Sequence, residues 1–531
     1  MAISKIALRA CLILSGALSM LAHGLALATI ISDEPSEMHS GVTEREVRQI
    51  NSLLAQKQLD KAMQEVEALE KQQPQDANTY ILKGAVLLAR RDPAAARKSF
   101  ERALELNPKS VAASMNLAQL DLLEKNLQSA QRRYQGVLTI DPKNTDAMLG
   151  LAGIAARTGR DAEVVSWLEK AIDAGPALVR PRVLLSTYYL QKRDAQKALA
   201  IAKQAQALDA DNSEALDALG AAQLATNEPD AAVASYRKLT ALAPSDPAAH
   251  YKLGMAQAAA RDIDGSRASL NRALQLKPDF LQAKVELAAV ELRAGAHGES
   301  VRIAKEIQKQ HPSSSVGWTL EGDVLMDQKQ YAQAEKAYER AFGIRKSGMV
   351  AVKLHDALNA AGKSKAADSI LLDWLKDHPA DVAVRSYLAM SYLKNGNNKE
   401  AIRQYETVVQ SAPREVVALN DLAWLYQQAN DSRAADTAER AYQLAPENAQ
   451  VLDTLGWILA NKGDVDRSVK LLRRAAELVP SSPVIRYHLA ASLAKTGANV
   501  PARVELEALL KKDTAFRERP QAEALLKQLK N

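Results

Sequence analysis

Prolines return through this chain at intervals of 34 residues. Counted on from Pro74, the step lands on Pro108, Pro142 and Pro176, misses once at Ala210, and lands again on Pro244, Pro278 and Pro312. It then meets Lys346, drops one residue to reach Pro379, and continues through Pro413, Pro446 and Pro480 with one more single-residue deletion. A period this regular marks a supersecondary unit that cannot bury its apolar face alone and must stack on its neighbours. The 531 residues are therefore counted in repeats, not in domains with separate cores.

Within one period, starting at Ala77, "ANTYILKGAVLLARRDPAAARKSFERALELNP" carries apolar residues on two helical faces separated by "RRDP". This reads as helix, turn, helix. Gly84 and Ala96 are small where two antiparallel helices would cross closely, Phe100 is the bulk between repeats, and Ala103 admits the next helix. Pro108 ends the second helix, because the residue before a proline is pushed out of the α region. Ala and Leu make up most of the 47% apolar content while aromatics are only 4%, a composition suited to close helix packing and an all-α chain.

The pattern resembles the tetratricopeptide repeat. Gly84 recurs as Ala118, Ala152, Gly220, Gly254, Ala288, Gly322, Ala389, Ala423, Gly456 and Ala490, and Phe100 as Tyr134, Leu168, Tyr236, Leu270, Tyr338, Tyr405, Leu472 and Leu506. Fourteen units start near residues 43, 77, 111, 145, 179, 213, 247, 281, 315, 349, 382, 416, 449 and 483. The resemblance implies a right-handed α-solenoid of about fourteen 34-residue helix-turn-helix repeats over residues 43–516, closed by a capping helix at 517–531 with a solvated charged side. The unit at 349 departs most, with Lys346 in place of the preceding proline and Asp356 at the small position.

The first residues read differently. Lys5 and Arg9 precede the apolar run "ACLILSGALSMLAHGLALA", which ends in Ala26-Leu27-Ala28. Residues 1–28 are thus expected to be a secretory signal peptide with a small-x-small cleavage site, and 29–42 a polar linker. The alternative, an uncleaved anchor, is weakened by Ser15, Gly16, Ser19, His23 and Gly24. Cys11, the single cysteine, sits inside the apolar run and behind Arg9, which argues against lipidation. Cleavage after Ala28 would leave no thiol, and so no disulfide, thiolate catalysis or cysteine-ligated metal.

Formal charge is +6, falling to +4 without Lys5 and Arg9, and acids interleave with bases on most expected helices. That balance excludes the one-sided basic stripe of a nucleic-acid binder. No HExxH, GxSxG or GxxxxGK[ST] occurs. "GLAGIAARTG" at 150–159 falls inside a first helix, so its glycines are expected to serve packing. The eight histidines are spread along the repeats and read as surface or helix-end residues, His311 and His378 each preceding a proline. The chain is expected to be no enzyme and to hold neither cofactor nor metal.

In tetratricopeptide arrays the outward positions of the first helices line a concave groove. The fifth and ninth positions here are Ile81 and Ala85, Met115 and Gln119, Val183 and Thr187, Tyr251 and Met255, Thr319 and Asp323, Ser386 and Met390. Towards the C-terminus they become Asn420 with Trp424, Asp453 with Trp457, and Tyr487 with Ala491. Asn and Asp can hydrogen-bond a peptide backbone or sugar hydroxyls, and Trp and Tyr offer flat area of the kind that dominates binding hot spots. The alternative is that Trp424 and Trp457 pack between consecutive first helices. The Lys-Asn-Asn-Lys-Arg set of chaperone-tail-binding members is not found, so a carboxylate clamp is not expected.

The run from 418 to 497, with "VLDTLGWIL" followed by "IRYHLA", is similar to the ends of tetratricopeptide proteins associated with exosortase/PEP-CTERM sorting and exopolysaccharide loci. That resemblance implies a periplasmic or envelope-associated scaffold of a Gram-negative bacterium. Its partners would be protein or peptide segments, among them polysaccharide-synthesis or sorting components, with membrane contact only through partners or an uncleaved signal. A cytoplasmic adaptor and a direct carbohydrate-binding accessory are the alternative readings.

Overall fold

A computed structural model describes residues 42–511 and 515–530. The expected signal segment and the linker up to residue 41 lie outside the described residues. These residues form 29 helices and, among them, no strand. They divide into two compact units between Val290 and Glu291.

The first unit is a run of helical hairpins. Its first helices are Glu44–Ala55, Ala77–Ala89, Val111–Leu123, Thr145–Arg157, Val179–Gln191, Ser213–Ala225 and Pro247–Ala259. Each is followed by a second helix of 14 residues, from Leu59–Gln72 to Ile263–Leu276. The helix Leu281–Arg293 spans the unit boundary. In the second unit, His297–Gln310 precedes hairpins whose first helices are Val316–Asp327, Gly348–Ala360, Val382–Lys394, Val416–Gln428, Ala449–Lys462 and Pro483–Lys495, and the helix Arg519–Lys530 closes the chain.

Local chemistry explains why helices start and stop where they do. The second helix of the hairpin at 77 ends at Leu106, Asn107 caps it and Pro108 prevents continuation. Two residues later Ser110 caps the next helix, its side chain accepting the Ala113 N–H. Asp76, Asn144, Asn212, Asp246, Ser347, Asp381, Asn448 and Ser482 do the same ahead of other first helices. Between the two helices of every hairpin, position fifteen has positive φ. Six of these residues are glycines, such as Gly159 and Gly463, but Lys57, Arg91, Lys125, Arg193, Asn227, Arg261, Lys329 and Asn430 also take φ of 54–65°. The tight turn is imposed by the packing of the two helices, because a non-glycine pays for that backbone conformation.

The small and large positions meet as the spacing predicts. A Cβ on Gly84 would lie 2.4 Å from Phe100, one on Gly220 2.6 Å from Tyr236, and one on Gly322 2.4 Å from Tyr338. Phe100, Tyr134, Leu270 and Leu472 are fully buried, each ring or branch contributing ~1.5–3 kcal/mol by leaving water. "GLAGIAARTG" divides: a Cβ on Gly150 would stand 2.5 Å from Tyr134, so this glycine serves packing, whereas Gly153 faces open space.

The two deletions are absorbed in different ways. The first shortens the loop before Gly348 to residues 345–347, so that repeat begins at 348 and not 349. His355, not Asp356, then occupies its small position, and it is buried at 1% exposure. The second falls in the turn before Ala434–Leu444, which is cut to 11 residues. Ala438 there, like Ala202 and Ala304 in their own repeats, stands where most repeats carry Phe, Tyr or Leu.

Candidate functional site

Stacking of first helices side by side decides which of the expected groove residues are free. In the first unit Ile81, Ala85, Met115, Val183 and Met255 are buried, because small or apolar side chains at the fifth and ninth positions are sealed by the neighbouring helix. Met115 and Met255, at 3% and 7% exposure, are core residues and present little to a ligand. Gln119 and Tyr251 keep partial exposure, Tyr251 leaning on Phe280 with ring centroids 5.2 Å apart.

The same positions in the second unit are more polar, and their acids are tied internally. Asp323 accepts the Tyr338 hydroxyl at 2.6 Å and the Lys353 ammonium at 2.5 Å. Asp356 accepts the Tyr387 hydroxyl. Asp421, one residue past the fifth position, accepts from Tyr405 at 2.8 Å, and burial pushes its carboxyl above the ordinary range, with the Tyr405 and Asn420 hydrogen bonds opposing. These bonds link a residue on one helix to a partner on an adjacent one, so the acids brace the stack and do not stand open as a cation-binding row.

Towards the C-terminus Asn420 and Trp424 share one face of Val416–Gln428, and Asp453 and Trp457 one face of Ala449–Lys462, because residues four apart lie on one side of a helix. Trp424 and Trp457 are both partly buried, and Trp424 packs against the apolar core of this unit. Trp457 stacks on His488 at 4.1 Å and 16° and lies 6.0 Å from the Tyr487 ring. His488 Nδ1 donates to Asp453 Oδ1 at 2.8 Å. The Lys495 ammonium lies 5.7 Å from the Trp457 ring centre and donates to Ala460 O and Asn461 Oδ1. Burial and the charge of Glu518 raise the Tyr487 phenol. Packing between consecutive first helices is thus part of the role of Trp457.

Sequence reasoning missed His488, which is buried and sets the orientation of both Asp453 and Trp457, and Glu518, whose Oε2 is buried without a hydrogen-bond partner. It also placed the histidines at surfaces and helix ends, whereas His355 and His488 are core residues. The signal for His488 was available: it follows Tyr487 and sits one repeat beyond Thr454, on the side of its helix that meets Asp453. For Glu518 no period exists, because it lies past the last repeat. A cavity of about 500 Å³ in this unit lies elsewhere, framed by the helices Asn398–Ser411, Val416–Gln428 and Ala434–Leu444 and lined by Glu406, Val409, Tyr426, Arg433 and Arg440. It sits beside the shortened helix Ala434–Leu444, and Arg433 reaches across it from the turn to Glu406 at 2.8 Å.

Two models of the tetratricopeptide repeat match this chain, one at residues 87–132 and 121–183, the other at 183–247, 251–315 and 386–449. A third, described as the cytochrome c-type biogenesis protein H TPR domain, matches residues 303–416. Cellulose synthase 2 operon protein C of Komagataeibacter xylinus is 34% identical over 160 residues, which is 30% of this chain and 12% of that protein. Cellulose synthase operon protein C of Pseudomonas fluorescens is 26% identical over 202 residues, 36% of this chain and 16% of that one. The chain therefore matches only a small part of these relatives' length. A mouse protein, O-mannosyl-transferase TMTC1, is 38% identical over 85 residues, 16% of this chain and 9% of its own. Among solved structures, the Cut9-Hcn1 hetero-tetramer of the APC/C gives a TM-score of 0.43 at 14% identity, covering 92% of this chain and 96% of that chain. YrrB, described as a TPR protein with an unusual peptide-binding site, gives 0.30 at 22%, covering 35% and 96%. At these scores neither carries weight here, and the fold rests on the helices themselves.

Proposed function

The chain belongs to the tetratricopeptide-repeat family, and on that premise we propose that it is a non-catalytic scaffold of the Gram-negative envelope. It holds protein or peptide segments against the first-helix face of its second unit and serves exopolysaccharide production or PEP-CTERM/exosortase sorting. The observation that carries the scaffold reading is the array itself: within the second unit, consecutive first helices set outward residues side by side, an arrangement that binds extended partners without any reactive group. The polysaccharide setting is supported by the likeness to the two cellulose synthase operon proteins over about a third of the chain. Secretion is supported by the basic-then-apolar start and its Ala26-Leu27-Ala28 ending. The site proposed is Asn420, Trp424, Asp453, Trp457 and Tyr487 of the second unit; Gln119 and Tyr251 are partly exposed at the corresponding positions of the first unit.

Crosslinking and pull-down from the envelope fraction of the native host tests this, with the Trp424/Trp457 double alanine variant alongside. A polysaccharide-synthesis or sorting component captured by the wild type and lost by a variant with unchanged circular dichroism supports the scaffold. Identical partner sets with both proteins would remove this face from the binding site.

A further inference from the structure

The aromatic end of the second unit has an unusual balance of satisfied and unsatisfied groups. Its ionic side chains are largely engaged within the protein: Asp421 with Tyr405, Asp453 with His488, and Lys495 with Ala460 O and Asn461. Its neutral donors are not. The indole N–H groups of Trp424 and Trp457 and the Tyr487 hydroxyl have no hydrogen-bond partner among the described residues, although each side chain is partly exposed. Two acceptor oxygens, Asn420 Oδ1 and Glu518 Oε2, are also without partners. Acceptors in that state carry a desolvation cost, which turning the side chain towards a donor from outside would relieve.

The geometry points to a segment of uncharged polysaccharide as the ligand of this face: we propose that Asn420, Trp424, Trp457, Tyr487 and Glu518 bind such a chain directly. A sugar hydroxyl both donates and accepts, so one chain can answer the indole and phenol donors and the two orphan oxygens together. The flat rings on three consecutive first helices offer apolar area for the C–H faces of the sugar rings, with a polar handle on each. Charge selects further. Asp453 is engaged by His488, and the Lys495 charge beside Trp457 is offset by Glu518 beside Tyr487, so the face has no excess of cations for an anionic chain. The inference rests on the first-helix face being the binding face, but not on any protein partner.

The test is titration of the full chain with cellohexaose and laminarihexaose as neutral probes, hexagalacturonate as an anionic one, and an uncharged peptide of similar length. Calorimetry and intrinsic tryptophan fluorescence read the binding. Saturable binding of a neutral hexasaccharide, unchanged between low and high salt and about tenfold weaker in Tyr487→Phe or Asn420→Ala, supports the proposal. Both substitutions remove a polar group while leaving most of the packing, and circular dichroism confirms the fold before titration. Hexagalacturonate should bind at least about tenfold more weakly than the neutral chains. The proposal is overturned if no neutral oligosaccharide binds, if the two variants bind as the wild type does, if hexagalacturonate binds equally well, or if only the peptide binds. A successful envelope pull-down beside a failed titration would sink this inference and leave the scaffold standing.

Discussion

Gly254→Leu examines the packing rule on which the whole array depends. A Cβ at Gly254 would lie 2.7 Å from Leu270 Cγ, 3.0 Å from its Cδ2 and 3.3 Å from the Ser266 carbonyl oxygen. Comfortable carbon contacts are ~3.5–4.0 Å, so the first added carbon alone forces a shift of nearly an ångström, and leucine brings three more. Leu270 is fully buried, and Ser266 donates to Gly254 O at 2.7 Å across the same crossing, so neither side can yield freely. Overpacking of this kind costs ~3 kcal/mol, and replacing glycine within a helix returns ~1 kcal/mol, which leaves a net loss of ~2 kcal/mol. Leu270→Ala alone should cost ~2–5 kcal/mol through the cavity it opens. The double variant nearly conserves volume and should be more stable than the sum of the single effects by at least ~1 kcal/mol. Urea unfolding followed by helical circular dichroism gives the three midpoints, and hydrogen exchange locates the loosened hairpin at 247–276. Strict additivity, or a Gly254→Leu midpoint equal to that of the wild type, would show that these two positions do not meet.

Arg91→Gly, Arg193→Gly and Arg261→Gly together should raise stability by ~1–2 kcal/mol, since each of these exposed arginines holds a left-handed turn at a cost that glycine avoids, less its greater unfolded-state entropy; a lower urea midpoint for the triple variant would refute this. Asp121→Ala should cost ~2 kcal/mol, because Asp121 is 3% exposed and joins Arg97 and Arg133 at 2.8 and 2.9 Å, the usual penalty for breaking a buried pair being reduced by the partial exposure of the arginines; an unchanged melting temperature would dismiss it. Asp421→Asn keeps an acceptor for Tyr405 but removes a carboxylate that burial disfavours. A carboxyl raised in the folded state stabilises the fold as pH falls through its folded pKa, and that gain is lost as pH rises. The variant should therefore exceed the wild type in stability near pH ~7 and lose that advantage near pH ~4; a constant difference across that range would contradict the assignment.

The sequence by itself determined the period, the helix-turn-helix unit and the all-α class. Those follow from local facts: prolines that stop helices, Ser, Asn and Asp that cap them, and small residues placed sixteen positions before large ones, as Gly84 stands before Phe100. Repetition multiplied each weak signal fourteen times. Tertiary structure alone decided where the deletions are absorbed, since one residue can be lost from a loop or from a turn with the same effect on the spacing of prolines. It put His355 into a space made for glycine or alanine. It also decided which outward residues remain outward. Position along a helix assigns Met115 and Trp424 to the same face, but only the neighbouring helix determines that Met115 is sealed and that the indole N–H of Trp424 is left without a partner. The pairing of Asp453 with His488 spans 35 residues, and Glu518 comes beside Tyr487 from beyond the last repeat. Neither contact has a local signature, because proximity across stacked helices depends on how they pack and is not written into either segment.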